Sequence, residues 1–208
     1  YFAGVCARCR DTGVSVRKAA MHILRDCLAT EGQSPGIVDG ACVALIPLLK
    51  DESSDIRKHV TLLLRGMWFP QPPSAGLPVA ARFAQVRGVV SEAHRSGLAD
   101  RDGQTVVDSI AAFLRGAMGD EAAGGLNTAA CGEYCDHAVQ TVVREHEERA
   151  GTREEGGLNA ALLPLFRTLE VFARARPSLL ARHAPLLHQY LSPGEPGEGR
   201  GQEQQEVA

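Results

Sequence analysis

Three groups of side chains in this chain have the types and spacing to do chemistry. The first is made of thiols: Cys6-Ala-Arg-Cys9 and Cys131-Gly-Glu-Tyr-Cys135-Asp-His137 together would offer four or five ligands of the kind that zinc takes. The second is made of carboxylates, because Glu145, Glu147, Glu148, Glu154 and Glu155 crowd one stretch and could supply a general acid and base. The third is cationic: Arg17-Lys18 and Arg57-Lys58 each follow an aspartate, Asp11 or Asp51, and could hold a phosphate or a carboxylate. The elements that carry these groups decide which chemistry is open to them.

Both cysteine clusters fall within predicted helices far apart in sequence, and neither has the turn that shapes a zinc knuckle. The expectation is therefore no metal site, with the six cysteines acting as reduced, helix-packing thiols in an intracellular protein. Carboxylates crowded at a helix end beside a loop read as a solvated face. A Gly-x-Ser-x-Gly elbow, a phosphate-binding Walker loop and a dinucleotide fingerprint are all missing, and His146-Glu147 lacks the second histidine of a metalloprotease helix. No enzyme, no catalytic residue and no cofactor are expected. No run of about eighteen apolar residues suggests a membrane span.

The cationic group has a context of its own. Asp11-Thr-Gly-Val-Ser-Val-Arg17-Lys18 returns, without a gap, as Asp51-Glu-Ser-Ser-Asp-Ile-Arg57-Lys58, and the same shift lays Leu24 on Leu64 and Arg25 on Arg65. A shift of forty residues is the length of a helix-pair repeat. Composition agrees, since a chain that is 44% hydrophobic but 5% aromatic suits helices packed at close range. The predicted helices run from about 15 to 30, 35 to 50, 56 to 68, 79 to 96, 103 to 118, 127 to 149, 158 to 175 and 178 to 191, with Ser15 and Asp55 as candidate N-caps. The fold class is all-α, an α-solenoid of HEAT-like antiparallel helix pairs. HEAT repeats are expected at 1–69, a stiff proline-rich connector at 70–78 and further helix pairs at 79–191. Residues 192–208, almost without apolar side chains, read as a disordered tail or linker. A first residue of Tyr and an opening that reads as helix interior suggest a fragment of a longer protein.

In such a stack the aspartate at each turn can cap the next helix, and the arginine one turn in can reach the aspartate of a neighbouring repeat. Asp11, Arg17, Asp51 and Arg57 are accordingly assigned to a structural ladder. Lys18 and Lys58, one position on, point elsewhere. Together with Arg10, Lys50 and Arg65 they lie near repeat ends or on repeating faces, where a solenoid aligns equivalent positions into a stripe. Arg174 and Arg176, with Arg167 and Arg182, make the last helix pair basic too. The alternative is a solvated helical surface. The formal net charge of -3 hides this unevenness: residues up to Pro70 are slightly basic, and the stretch from Asp100 to Glu155 is acidic. Any DNA contact made this way would be independent of base sequence.

Several phrases together resemble one family. DTGVSVRKAAMHILRDC, the segment from Cys42 to Trp68 ending in LLLRGMWFP, and LNAALLPLFRTLEVFARARPSLLARHAPLLHQYL at 158–191 are similar, in that order, to the C-terminal HEAT region of Nipped-B-type sister chromatid cohesion proteins. The last phrase is the most specific. The resemblance implies a non-catalytic, hook-shaped scaffold of a cohesin loader in the nucleus, on chromatin. It would contact the cohesin ATPase heads and kleisin, and DNA, and would bind a tetratricopeptide partner through a region absent here. Ala19, where another polar residue is expected, and the glycine-rich break at Ala122 to Gly125 depart from the pattern. Another HEAT adaptor, condensin-like or a transport receptor, would share the ladder but not the 158–191 phrase. A HEAT-fold DNA repair glycosylase would need a catalytic carboxylate facing an aromatic-lined groove, and a single Trp with few Tyr offers little toward one.

Overall fold

The computed structural model describes residues 1–30, 32, 34–70, 76–99, 103–119, 124–149 and 155–191. Every regular element among them is helical; the one extended pairing is an isolated bridge between Ala99 and Thr105. The helices are α1 (Phe2–Arg8), α2 (Val14–Ala29), α3 (Pro35–Leu45), α4 (Ser54–Trp68), α5 (Val79–Ser96), α6 (Val106–Gly119), α7 (Gly124–Arg149), α8 (Glu155–Ala175) and α9 (Ala184–Leu191). The tail at 192–208 and most of the proline-rich connector, 71–75, lie outside the described residues.

Local chemistry sets the turns. Asp11 Oδ1 accepts the Gly13 N–H at 2.9 Å, and Asp51 Oδ1 accepts the Ser53 N–H at the same distance, so an Asx turn launches both α2 and α4. The expected caps do not form: α2 starts from Gly13 and α4 from Ser53, neither with a side-chain cap bond. Both helices begin two residues earlier than those caps require, which leaves Ser15 and Asp55 inside the first turn. Pro35 opens α3, and Pro47 tightens the following turn, Ile46–Lys50, into a 3-10 helix. Gly97 closes α5 at φ 59°, a left-handed conformation in which glycine carries no steric cost. The helix expected at 178–191 is instead two 3-10 turns, Pro177–Leu179 and Ala181–His183, followed by α9. Pro185 has no N–H to give to the Ala181 carbonyl, so one continuous helix cannot form there.

One apolar stripe per helix then forces the stack. The stripe of α2 is Ala20, Met21 and Leu24, and that of α4 is Ile56, Val60, Leu64 and Trp68, all buried. In sequence order the helices pair and stack, α3 lying between α1 and α5, α2 beside α4, and α6 beside α8. The core continues across the connector. Trp68, fully buried, meets Phe113 edge-on at 5.6 Å, and the Tyr134 hydroxyl donates to the Trp68 carbonyl. Further on, Arg115 donates to the Arg174 and Ala175 carbonyls at 2.6 and 3.3 Å and so satisfies the free end of α8.

The seam between α3 and α5 is unusually close. A Cβ on Gly88 would lie within 2.5 Å of Asp39 Oδ1, so the carboxylate rests on the bare backbone of α5. Asp39 accepts no hydrogen bond among the described residues, and burial, with Glu92 beside it, pushes its pKa up to about 6. Gly88→Ala should therefore lower stability by about 1–3 kcal/mol through overpacking, read as a lower urea midpoint at unchanged slope. The pH dependence has a definite sign. The folded chain keeps a proton that the unfolded chain releases from about 3.8, so stability should fall as pH rises from there to about 6. Asp39→Asn should flatten that fall in urea titrations across the window.

Candidate interaction surface along the helix-pair ladder

Arg17 is 1% exposed, yet all its N–H donors are used. Nε and Nη2 form a fork on Asp51, at 2.6 Å to Oδ2 and 3.0 Å to Oδ1; Nη2 also reaches Glu52 Oε1 at 2.7 Å. Nη1 donates to the Asp11 and Thr12 carbonyls at 3.0 and 2.9 Å. The guanidinium thus joins the turn before its own helix to the turn of the next repeat. A bidentate pair with every donor engaged is the form in which a buried charge is tolerated.

Arg57 repeats half of this arrangement. Its Nη1 donates to the carbonyls of Asp51, at 2.5 Å, and Glu52, at 3.0 Å, the positions equivalent to Asp11 and Thr12. It has no carboxylate partner among the described residues. Laying Asp102 on Asp51 puts Asp108 where the ladder arginine would stand. The polarity is reversed there. Arg174 of α8 supplies the cation, its Nη1 2.7 Å from Asp108 Oδ1, while the Thr105 hydroxyl donates to Asp108 Oδ2 at 2.7 Å. The Thr105 hydrogen bonds and the Arg174 charge hold the Asp108 carboxyl below the usual range. The forty-residue shift does not find this pair, because Asp102 follows Asp51 by 51 residues and the cation stands on a different helix.

The remaining sequence candidates divide. Lys18 is exposed and paired, Nζ lying 2.5 Å from Asp55 Oδ2, and the Lys18 hydrogen bond lowers the Asp55 pKa. Asp55, read from sequence as a cap, is a bridge between α2 and α4; His22 and His59 meet edge-on beside it at 5.7 Å. Lys58 is exposed, at the equivalent place in the next repeat, with no ion pair among the described residues. Arg10 is exposed as well; Lys50 donates to Gln104, and Arg65 is half-buried with its Nε beneath the surface. Arg174 also holds Glu170 at 2.7 Å, and Arg176 Nη1 donates to Thr128 at 3.0 Å. Lys18 and Lys58 therefore share the α2–α4 row, whereas Arg174 and Arg176 belong to the separate α8 end.

Four of the six thiols are buried. Burial pushes Cys9, Cys42, Cys131 and Cys135 up to about 12, so they are protonated at neutral pH. No group of three or more His, Cys, Asp or Glu side chains that could hold a metal ion occurs among the described residues. Of the carboxylate crowd, Glu148 stands 3.9 Å from Arg144 on α7, and Glu154 lies outside the described residues. No described helix is long and apolar enough to cross a membrane.

These features define the class, an all-α solenoid-like stack of helix pairs, with the buried Arg17–Asp51 fork joining two successive turns. The sequence is similar to part of Nipped-B-type proteins: it is 26% identical over 195 residues to the human and mouse Nipped-B-like proteins, covering 92% of this chain. It is 27% identical over 195 residues to Nipped-B-like protein B of Danio rerio and 28% identical over 203 residues to Nipped-B protein of Drosophila melanogaster. The chain spans about 7% of the length of the mammalian relatives and 9% of the fly protein. No protein-family model matches it.

Asp51→Ala would take the bidentate partner from buried Arg17 and leave it only the exposed Glu52 carboxylate and the turn carbonyls. It should cost about 3–5 kcal/mol, whereas Lys18→Ala, which breaks an exposed pair, should cost less than about 1 kcal/mol. Chemical denaturation of the two variants side by side measures the gap, and equal losses would mean that the fork does not carry the stack.

Proposed function

We propose that this segment is a non-catalytic scaffold within a cohesin loader, promoting the loading of cohesin onto chromatin in the nucleus. The observation that carries the reading is similarity to Nipped-B-type proteins along 92% of the chain. The chemistry is compatible with it: buried Arg17 serves the stack, and the α2–α4 row exposes Lys58, and Lys18 in its bridge to Asp55, toward anionic surfaces. The partners in this reading are the cohesin ATPase heads and kleisin, and DNA held through its phosphates without reading of bases. A tetratricopeptide protein would bind elsewhere in the full-length loader.

Lys18 and Lys58 are not equal candidates. Lys18 is already bridged to Asp55, so a phosphate must displace a carboxylate to reach it. Lys58 carries no such competitor among the described residues and should contribute more to binding.

The experiment is Lys18→Glu with Lys58→Glu in the full-length protein. DNA affinity or stimulation of cohesin ATP hydrolysis should fall, and each lysine that contacts a phosphate should reduce the salt dependence of binding by about one unit of slope. Lys58→Glu alone should account for most of the effect. Thermal stability should hardly move, because exposed charges contribute little to folding. Unimpaired loading by the double variant would make the row an ordinary solvated face, and unfolding would assign the lysines to the ladder.

A further inference from the structure

The helices α1, α3 and α5 enclose an open groove of about 340 Å³. Ala3 and Ala7 of α1 and Ala44 of α3 form its small walls, and the Phe2 ring covers Gly40 at one side. Val43 and Leu98 add apolar surface. Its charges are separated and incompletely used. Arg10 lies on the rim contributed by the end of α1, exposed and without an ion pair among the described residues. On the other rim is Glu92 of α5, and one turn back along α5 Asp39 rests on Gly88 with no hydrogen-bond donor. Arg95 pairs with Glu92, but its side chain is 76% exposed and it leaves Asp39 without a donor.

We propose that this groove receives a short peptide segment presenting an apolar side chain next to a lysine or arginine, the cation settling on the Asp39–Glu92 pair. The apolar side chain would occupy the space between the alanines, against Val43, Leu98 and the Phe2 ring. The cation would supply the donor that Asp39 lacks and offset the repulsion between the two carboxylates. An acidic residue in the same position would add a third negative charge and be rejected. Arg10, at the opposite rim, would favour a segment whose other end is neutral or acidic. Recognition of this kind uses an apolar anchor for affinity and the charge at its flank for orientation and specificity.

The test places the photocrosslinker benzoylphenylalanine at Ala7, an exposed groove position, in the full-length protein, and maps the captured segment by mass spectrometry. The expected adduct is a segment from another protein with Lys or Arg within about three residues of the crosslinked apolar side chain. Its yield should drop at least about fivefold in Asp39→Asn with Glu92→Gln, which keep shape and remove charge, and further in Glu92→Lys, a reversal at the groove's edge. Hydrogen exchange of α3 and α5 should stay as protected as in the parent, separating lost binding from lost fold. Crosslinks confined to another helix of the same chain would make the groove a repeat junction and overturn the proposal. So would the absence of any adduct, an adduct without a flanking cation, or a yield indifferent to all three substitutions.

Discussion

A guanidinium buried among helices must have every donor satisfied, and Arg17 meets that demand only if two turns forty residues apart are held together. The Asp51 carboxylate fixes the next repeat, and the Asp11 and Thr12 carbonyls fix the turn of the repeat that Arg17 belongs to. Once this fork is closed, the register of α2 against α4 is set, because the arginine cannot slide a turn without leaving its charge unpaired. The exposed Lys18–Asp55 bridge and the His22–His59 contact follow from that register. Apolar stripes would pack in several registers at similar cost. The buried fork selects one.

The second half of the chain meets the same need with the charges exchanged. Asp108 on α6 and Arg174 on α8 form a half-exposed pair, and Arg115 closes the end of α8 through its carbonyls. Water screens this pair more than the Arg17 fork, so register there depends more on aromatic packing. Trp68, Phe113, Tyr134 and Phe172 form an interlocked series in which Tyr134 ties the end of α4 to α7. A core that runs across the proline-rich connector lets both halves present their surfaces from one stack.

Within the stack, this division of labour separates stability from contact. The arginines that a sequence reader first notices are spent inside the stack, and their neighbours one position on remain outside. The groove between α1, α3 and α5 depends on alanines, whose small side chains leave space along the seam. Its acidic rim and the cationic α2–α4 row offer opposite charges on different helices, so different partners would be suited to each.

The sequence by itself determined what depends on short-range pattern. The 3.6-residue periodicity of α2 and α4, the turn chemistry of Asp11 and Asp51 and the repetition of Arg-Lys after them made the helix pairs and the Arg17–Asp51 relation legible before any coordinates. Tertiary structure alone decided what depends on which faces meet. Asp55 reads equally as a cap or as a bridge until α2 is laid beside α4. Asp108 and Arg174 are sixty-six residues apart, and no local period links them. The pressure of Asp39 on Gly88 likewise needs two helix backbones in contact, since neither residue is unusual within its own helix. A helix face is written along one segment, but the partner of a charge on that face is chosen by packing between segments, and packing is where these pairs were decided.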